Sequence, residues 1–365
     1  MKALFACGGT AGHVNPAVAI ADLLKKNVPD FCAVFVGTPN GIENRLVPAA
    51  GYEIRHVPVL GLRRSLSPRN LRSCAALFRS FGVAGRILKE ETPDLVLGTG
   101  GYVCYPVLRA ASKRGIPTVL HESNAKAGIA ARLLARRTDL ALINFPSAER
   151  DFRSSGKTVF SGNPLREEFY TLRREEGRKR LGLKPNDQFL VVFGGSLGAK
   201  KLNEAIEEAL PRLLSTNRNL RILHAVGKNG SDKKGLVPCE RYERREYIEE
   251  MPTCLTAADL VVCRAGAMTL SEIAAAGVPS ILVPFPAATG DHQTKNASAF
   301  ADAGAAILLP DALLSSDRVA GEIERLLSDP AEREKMRGNL KRFFVPDSEK
   351  IILREIRLLC PKLRK

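Results

Sequence analysis

A chain of 365 residues is too long for one ordinary core and fits two domains. Its 45% hydrophobic and 26% charged residues are those of a soluble globular protein, and apolar stretches such as Val278 to Phe285 fall well short of the about 20 residues that span a bilayer. The net charge of +16 leaves nucleic acid, an anionic membrane surface or plain solubility to be weighed.

Strand-like runs alternate with helical patterns along most of the chain. In the first half the expected strands are Lys2–Cys7, Cys32–Val36, Ile54–Val57, Leu95–Leu97, Thr118–Leu120 and Leu140–Ile143, and the first helix is expected from Pro16 to Lys25. In the second half they are Phe189–Phe193, Arg221–Ala225, Leu260–Cys263, Ser280–Val283 and Ala306–Leu308. This alternation predicts α/β architecture: two Rossmann-like, doubly wound parallel domains facing a cleft. The turn Ser161-Gly162-Asn163-Pro164, followed by a charged helix over Leu165–Leu181, predicts the linker. Residues 1–162 then form one domain and 163–342 the other. The apolar face of the last segment, about 343–365 (Ile351, Ile352, Ile356, Leu359), is expected to pack onto the first domain.

Lys2 precedes only a few apolar residues before a glycine turn, so no secretory signal is expected and the chain is read as cytoplasmic. The eight cysteines are scattered, with no C-x-x-C pair, which predicts reduced, mostly buried thiols rather than zinc or disulfides. Residues 1–160 hold 22 Lys/Arg against 11 Asp/Glu. Between Glu53 and Glu90 stand seven arginines and no acid, interleaved with Leu60, Leu62, Leu66, Leu71, Leu77, Phe78 and Phe81. Arginines beside apolar residues suit an anionic bilayer surface, although Leu71, Leu77, Phe78 and Phe81 also fit the core face of an ordinary amphipathic helix. Nucleic acid fits less well: aromatic residues are 6%, Trp is absent and no nucleic-acid motif is visible.

Turns at strand ends carry the chemistry. Gly8-Gly9-Thr10-Ala11-Gly12-His13 follows the first strand, and Gly194-Gly195-Ser196-Leu197-Gly198 follows the strand that opens the second half. Such turns let backbone N–H groups and a helix N-terminus approach an anion. The first lacks the G-x-G-x-x-G spacing and an acidic residue about 20 positions on, which disfavours a nicotinamide cofactor. His13 is either a structural residue of the turn or a base whose ordinary pKa of about 6.5 suits deprotonation of a hydroxyl. Gly98-Thr99-Gly100-Gly101-Tyr102 and His121-Glu122-Ser123-Asn124 end two further strands, and the three turns together favour a site along one rim. In the second half, Ser196 and Arg166 suit a diphosphate. Glu272, in Ala267-Met268-Thr269-Leu270-Ser271-Glu272, either favours its helix dipole or accepts ribose hydroxyls. Asp291-His292-Gln293-Thr294-Lys295-Asn296 is rich in groups that hydrogen-bond sugars.

In combination, GGTAGH (8–13), GTGGY (98–102), HESN (121–124), GNPLR (162–166), GGSLGA (194–199), CRAGAMTLSEIAAAGVP (263–279) and DHQTKNA (291–297) resemble the bacterial MurG-type family of N-acetylglucosaminyltransferases, which convert lipid I to lipid II in peptidoglycan synthesis. The resemblance implies a GT-B type fold with UDP-GlcNAc as donor, inverting β-1,4 transfer to the muramic acid 4-hydroxyl of lipid I, and no cofactor or required metal. It implies His13 as the base or its neighbour. Ile248 would meet uracil through its backbone, and Glu272 would hold the ribose. Ser196, Arg166 and the helix start Ala267, Met268, Thr269, Leu270 and Ser271 would lie at the diphosphate side. Gln293, Asn124 and Thr10, Ala11 and Gly12 would touch the sugar, with Gly100, Gly101, Tyr102 and Glu122 assigned to the acceptor. The resemblance also places the protein at the cytoplasmic face of the plasma membrane, with residues 60–81 as the membrane contact and no nucleic acid as partner. Ala11, Ser123 and Leu197 stand where the family usually has Gly, Gln and Gln; alanine is strained at position 11 if φ there is positive. The rival readings are a transferase for another lipid acceptor, a UDP-GlcNAc 2-epimerase, and a non-catalytic sugar-nucleotide-binding scaffold.

Overall fold

The computed structural model describes residues 1–59, 69–153, 156–230 and 239–361; of residues 69–75 and 289 only the backbone is described. Leu60, Leu62, Arg63, Arg64 and Leu66 of the expected membrane segment therefore lie outside the described residues. The chain divides into two compact units, Met1–Leu165 with Asp347–Lys365, and Arg166–Pro346.

The first unit is built on a parallel sheet of β1 (Lys2–Cys7), β2 (Cys32–Gly37), β3 (Glu53–His56), β4 (Leu95–Gly100), β5 (Thr118–Glu122), β6 (Leu140–Ile143) and β7 (Lys157–Phe160). Their order is β3-β2-β1-β4-β5-β6-β7. Its helices are α1 (Ala11–Asn27), α2 (Glu43–Ala49), α3 (Arg69–Glu91), α4 (Cys104–Ser112) and α5 (Ile129–Leu134). Period-two alternation sorts the strand residues between two apolar layers. Ala3, Phe5 and Cys7 of β1 face the layer of α1 and α2, while Leu4 and Ala6 face α3, α4 and α5. Phe5 stacks on Phe35 with ring centroids 5.1 Å apart.

The second unit begins with α6 (Glu168–Thr171) and α7 (Arg174–Arg180). Its sheet runs β10-β9-β8-β11-β12-β13 from β8 (Gln188–Phe193), β9 (Leu220–Ala225), β10 (Tyr242–Arg245), β11 (Leu260–Cys263), β12 (Ser280–Leu282) and β13 (Ile307–Leu308). Its remaining helices are α8 (Lys200–Thr216), α9 (Met251–Ala257), α10 (Ala267–Ala276), α11 (His292–Asp302), α12 (Ser316–Ser328) and α13 (Pro330–Leu340). The last helix, α14 (Ser348–Leu359), returns to the first unit. There Ile352 and Ile356 are fully buried beside α1, Ser348 Oγ donates to Asn163 O at 3.0 Å, and Lys157 pairs with Glu355.

Three local expectations are corrected. The helix expected from Pro16 begins at Ala11, because Thr10 O already accepts from the amides of His13 and Val14 at 3.0 and 3.2 Å. Pro16 sits inside that helix and leaves unbonded only the carbonyl of exposed Gly12. The single helix expected over Leu165–Leu181 is two, α6 and α7, separated by extended backbone at Leu172 and Arg173. Strands β7 and β10, which pattern reading does not find, are sheet edges; edge strands stay half-exposed and carry charged residues in place of an apolar run.

Ile356→Ala should cost the first unit about 2–5 kcal/mol by removing fully buried methyl groups. Denaturant unfolding followed by a probe in the first unit measures this, and a change below about 0.5 kcal/mol would detach α14 from that core.

Candidate functional site

Each sheet reverses its winding direction once, between β1 and β4 in the first unit and between β8 and β11 in the second. In open parallel sheets such switch points open a crevice at the carboxyl ends of the strands, where ligands bind. The turns 8–13 and 98–102 follow β1 and β4, and the turns 194–198 and 264–266 follow β8 and β11, so these four sit at the two switch points.

In the first unit the turn after β1 meets the turn after β4. Gly9 has φ 87°, Gly100 123° and Gly101 88°, values that L side chains rarely adopt. A β-carbon on Gly101 would collide with Gly8 O, and one on Gly100 would lie 2.5 Å from His13 Cδ2. Thr99 Oγ1 donates to His13 O at 2.6 Å and ties α1 to β4. His13, in the first turn of α1, is half-buried. Its Nδ1 lies 3.0 Å from Gly8 O and 3.3 Å from Thr10 Oγ1. A carbonyl only accepts, so Nδ1 carries the proton and Nε2 keeps its lone pair. Burial holds the imidazole below its ordinary value, opposed by the Gly8 hydrogen bond and the field of Glu43. The ring is therefore neutral at pH 7.

Glu43, which pattern reading overlooks, is completely buried beneath this turn. Its Oε2 accepts from Gly9 N at 3.0 Å, and Oε1 accepts from Thr38 N and Thr38 Oγ1 at 2.8 and 2.6 Å. A third glycine turn after β2 (Gly37-Thr38, then Gly41) was the available signal.

Glu122 is buried, and burial raises its pKa against the hydrogen bonds it accepts. Both oxygens serve the loop: Oε1 takes Asn124 N and Nδ2 at 3.0 and 2.9 Å, and Oε2 takes Gly128 N at 3.2 Å. It thus orders the strand-end loop that presents Asn124. His121 is fully buried with Nε2 3.2 Å from Gly162 O, and burial lowers its pKa to about 4. Tyr102 is exposed beside Gly101. Ala11 is the first residue of α1 and does not have positive φ, so alanine is unstrained there. Ser123 is buried, and its carbonyl accepts from Asn144 Nδ2 at 3.1 Å.

In the second unit, Gly195 and Gly198 have φ of 93° and 82°, and Gly198 packs so closely on Val226 O that any side chain would clash. Ser196 is exposed; Lys228 N donates to its carbonyl at 3.0 Å, and the neighbouring Leu197 is also exposed. Across the switch point, the amides of Ala267, Met268 and Thr269 open α10, whose first turn holds no acid. Leu270 is fully buried, and buried Ser271 donates its hydroxyl to Ala267 O at 3.2 Å.

Glu272 is half-buried, and burial pushes its pKa up to about 7, with Arg166 opposing. Among the described residues no donor reaches its carboxylate. Arg166 is exposed and donates to Glu249 O at 3.1 Å, next to Ile248. The Ile248 side chain is buried. Gln293 Oε1 accepts from Ala265 N and Phe285 N at 3.1 and 2.9 Å, so its amide nitrogen is the donor left for a ligand. Arg264, which pattern reading did not single out, is buried and binds Val283 O, Pro284 O and Asp311, tying the ends of β11 and β12 together.

The Glycosyltransferase family 28 N-terminal domain matches residues 3–143 and the Glycosyltransferase family 28 C-terminal domain matches residues 189–352. A protein of Carboxydothermus hydrogenoformans, 43% identical with all of both chains covered, is named UDP-N-acetylglucosamine–N-acetylmuramyl-(pentapeptide) pyrophosphoryl-undecaprenol N-acetylglucosamine transferase. One of Acetivibrio thermocellus with the same name is 42% identical, with 93% of each chain covered. The crystal structure of Acinetobacter baumannii MurG superposes with a TM-score of 0.75 at 28% identity, covering 99% of both chains. A UDP-GlcNAc 2-epimerase of Neisseria meningitidis, at 14% identity, TM-score 0.66 and coverage of 98% of this chain and 99% of its own, shares the fold alone. Both family domains match in order, and relatives above 40% identity span nearly the whole chain: it belongs to glycosyltransferase family 28.

Proposed function

We propose that this protein transfers GlcNAc from UDP-GlcNAc to the 4-hydroxyl of the muramic acid of lipid I, giving lipid II. The observation that carries the mechanism is the His13 ring, whose Nδ1 is committed to Gly8 O and whose Nε2 is the nitrogen left to take a proton. In one in-line displacement the acceptor oxygen bonds to the anomeric carbon while that carbon's bond to the diphosphate oxygen breaks, inverting the centre. The hydroxyl proton passes to His13 Nε2 and UDP departs. In the second unit the α10 amides, Ser196 and Arg166 would stabilise the departing diphosphate. Glu272 would accept the ribose hydroxyls, Ile248 would meet the base through its backbone, and Gln293 would donate to the sugar.

Membrane attachment is proposed through the α3–α4–α5 layer. Phe78, Ile129 and Leu133 there are 77%, 64% and 54% exposed, beside exposed Arg79, Arg132, Arg136 and Arg137. Apolar side chains ringed by arginine fit an anionic bilayer. Among the described residues no helix is long and apolar enough to cross one. The lipid acceptor supports a place at the cytoplasmic membrane face.

The deciding assay follows labelled GlcNAc from UDP-GlcNAc onto a short-chain lipid I analogue with a chelator present. Disaccharide product supports the reaction without a metal. Saturable donor binding without product points to another lipid acceptor.

His13→Ala should lower kcat by about 10²–10⁴-fold while donor affinity stays nearly unchanged. Binding of UDP-GlcNAc should weaken about tenfold from pH 8 to pH 6, because ribose hydroxyls favour the charged form of a Glu272 that titrates near 7 when unliganded. Calorimetric titration across that range should give a flat profile for Glu272→Gln. Replacing Phe78, Ile129 and Leu133 by Ser should reduce sedimentation with phosphatidylglycerol vesicles by at least about tenfold and spare UDP-GlcNAc binding.

A further inference from the structure

The peptide unit between Gly8 and Gly9 faces two ways. Its carbonyl, on Gly8, accepts from His13 Nδ1 at 3.0 Å, and its amide, on Gly9, donates to Glu43 Oε2 at 3.0 Å. We infer that Glu43 is a positioning residue for the transfer reaction, acting on His13 through this single peptide group. The inference rests on the reading of His13 as the base.

The arrangement has the logic of a carboxylate that orients a catalytic imidazole, with one amide inserted between them. A carboxylate that accepts from a peptide N–H polarises that peptide and makes its carbonyl a stronger acceptor. The stronger carbonyl fixes the proton on Nδ1, holds the ring plane, and stabilises the imidazolium that forms when Nε2 takes the acceptor's proton.

The surroundings are shaped for a carboxylate at this point. Glu43 is 0% exposed, and three glycines close around it. A β-carbon on Gly8 would lie 2.6 Å from Oε1, one on Gly37 would lie 2.5 Å from Cγ, and one on Gly41 would overlap both oxygens. Burial alone would raise the Glu43 pKa; the hydrogen bonds from Thr38 and Gly9 outweigh it and hold the group below the usual carboxylate range. The charge is therefore present throughout the working pH range. Among the described residues, Glu43 is the charged group whose field reaches the ring. Cys7 and Cys104 remain thiols because burial raises both, Cys104 to about 12. Thr10 and Thr99 are neutral.

Glu43→Gln tests the inference. An amide has only one acceptor oxygen for the three donors that now serve two, so the variant loses the charge and at least one bond. The expected result is a 10–100-fold fall in kcat, on the order of a lost charge-assisted hydrogen bond or two, with KM for UDP-GlcNAc within about threefold. The field of Glu43 raises the His13 pKa, so its loss moves the acid limb of kcat, measured at saturating UDP-GlcNAc, to lower pH. An NMR titration of the His13 ring should show the same shift without any turnover. Glu43→Asp retains the charge and should keep the limb in place with a smaller rate loss, and thermal melting of both variants checks that they fold. A rate loss with the limb and the ring titration unmoved would reduce Glu43 to a packing residue, and wild-type rates in Glu43→Gln would overturn the inference outright. Should His13→Ala stay active, the base assignment fails instead, while the ring titration still reports whether Glu43 acts on His13.

Discussion

Everything in the first unit's site depends on how closely two strand-end turns approach each other. Where β1 and β4 diverge, Gly101 rests on the carbonyl of Gly8, and Gly100 rests on the ring of His13, with no room for a β-carbon at either place. Close-packed backbone leaves few conformations open, so the histidine is held by main-chain geometry, with Thr99 adding a 2.6 Å bond to its carbonyl. The second unit repeats the device at its own switch point, where Gly198 meets the Val226–Gly227 turn. The two halves share a scaffold and differ in what stands on it. The first carries a basic imidazole, while the second carries exposed amides and an elevated carboxylate.

The strands with apolar runs were legible because they are central and covered on both faces: Ala3–Cys7, Leu190–Phe193 and Leu260–Cys263 are buried throughout. The glycine turns were legible because strand, glycines and helix follow one another in sequence. What escaped was non-local. Glu43 stands 34 residues from Gly9, the amide it binds, and becomes meaningful only when β2 pairs with β1. Arg264 lay inside a quoted motif, yet its partners belong to later turns. Proline misled at α1, since Pro16 reads as a helix start and is in fact enclosed by one.

Motif membership and side-chain exposure also separate in the structure. Leu270 and Ser271 belong to the same run as Glu272, but a helix turns successive residues by about 100°, so the first two are buried and the third is half-buried. Glu122 likewise spends both oxygens on the loop that carries Asn124.

The return of α14 gives the chain an order of completion. A ribosome releases residues 1–165 before α14, so the groove that receives Ile352 and Ile356 stays uncovered until α14 has emerged. The second unit, contiguous in sequence, has all of its residues available earlier. A chain cut short before residue 348 would therefore have a first unit with an open apolar seam, a target for chaperones and proteases. The unit that carries His13 is sealed only in chains that include α14.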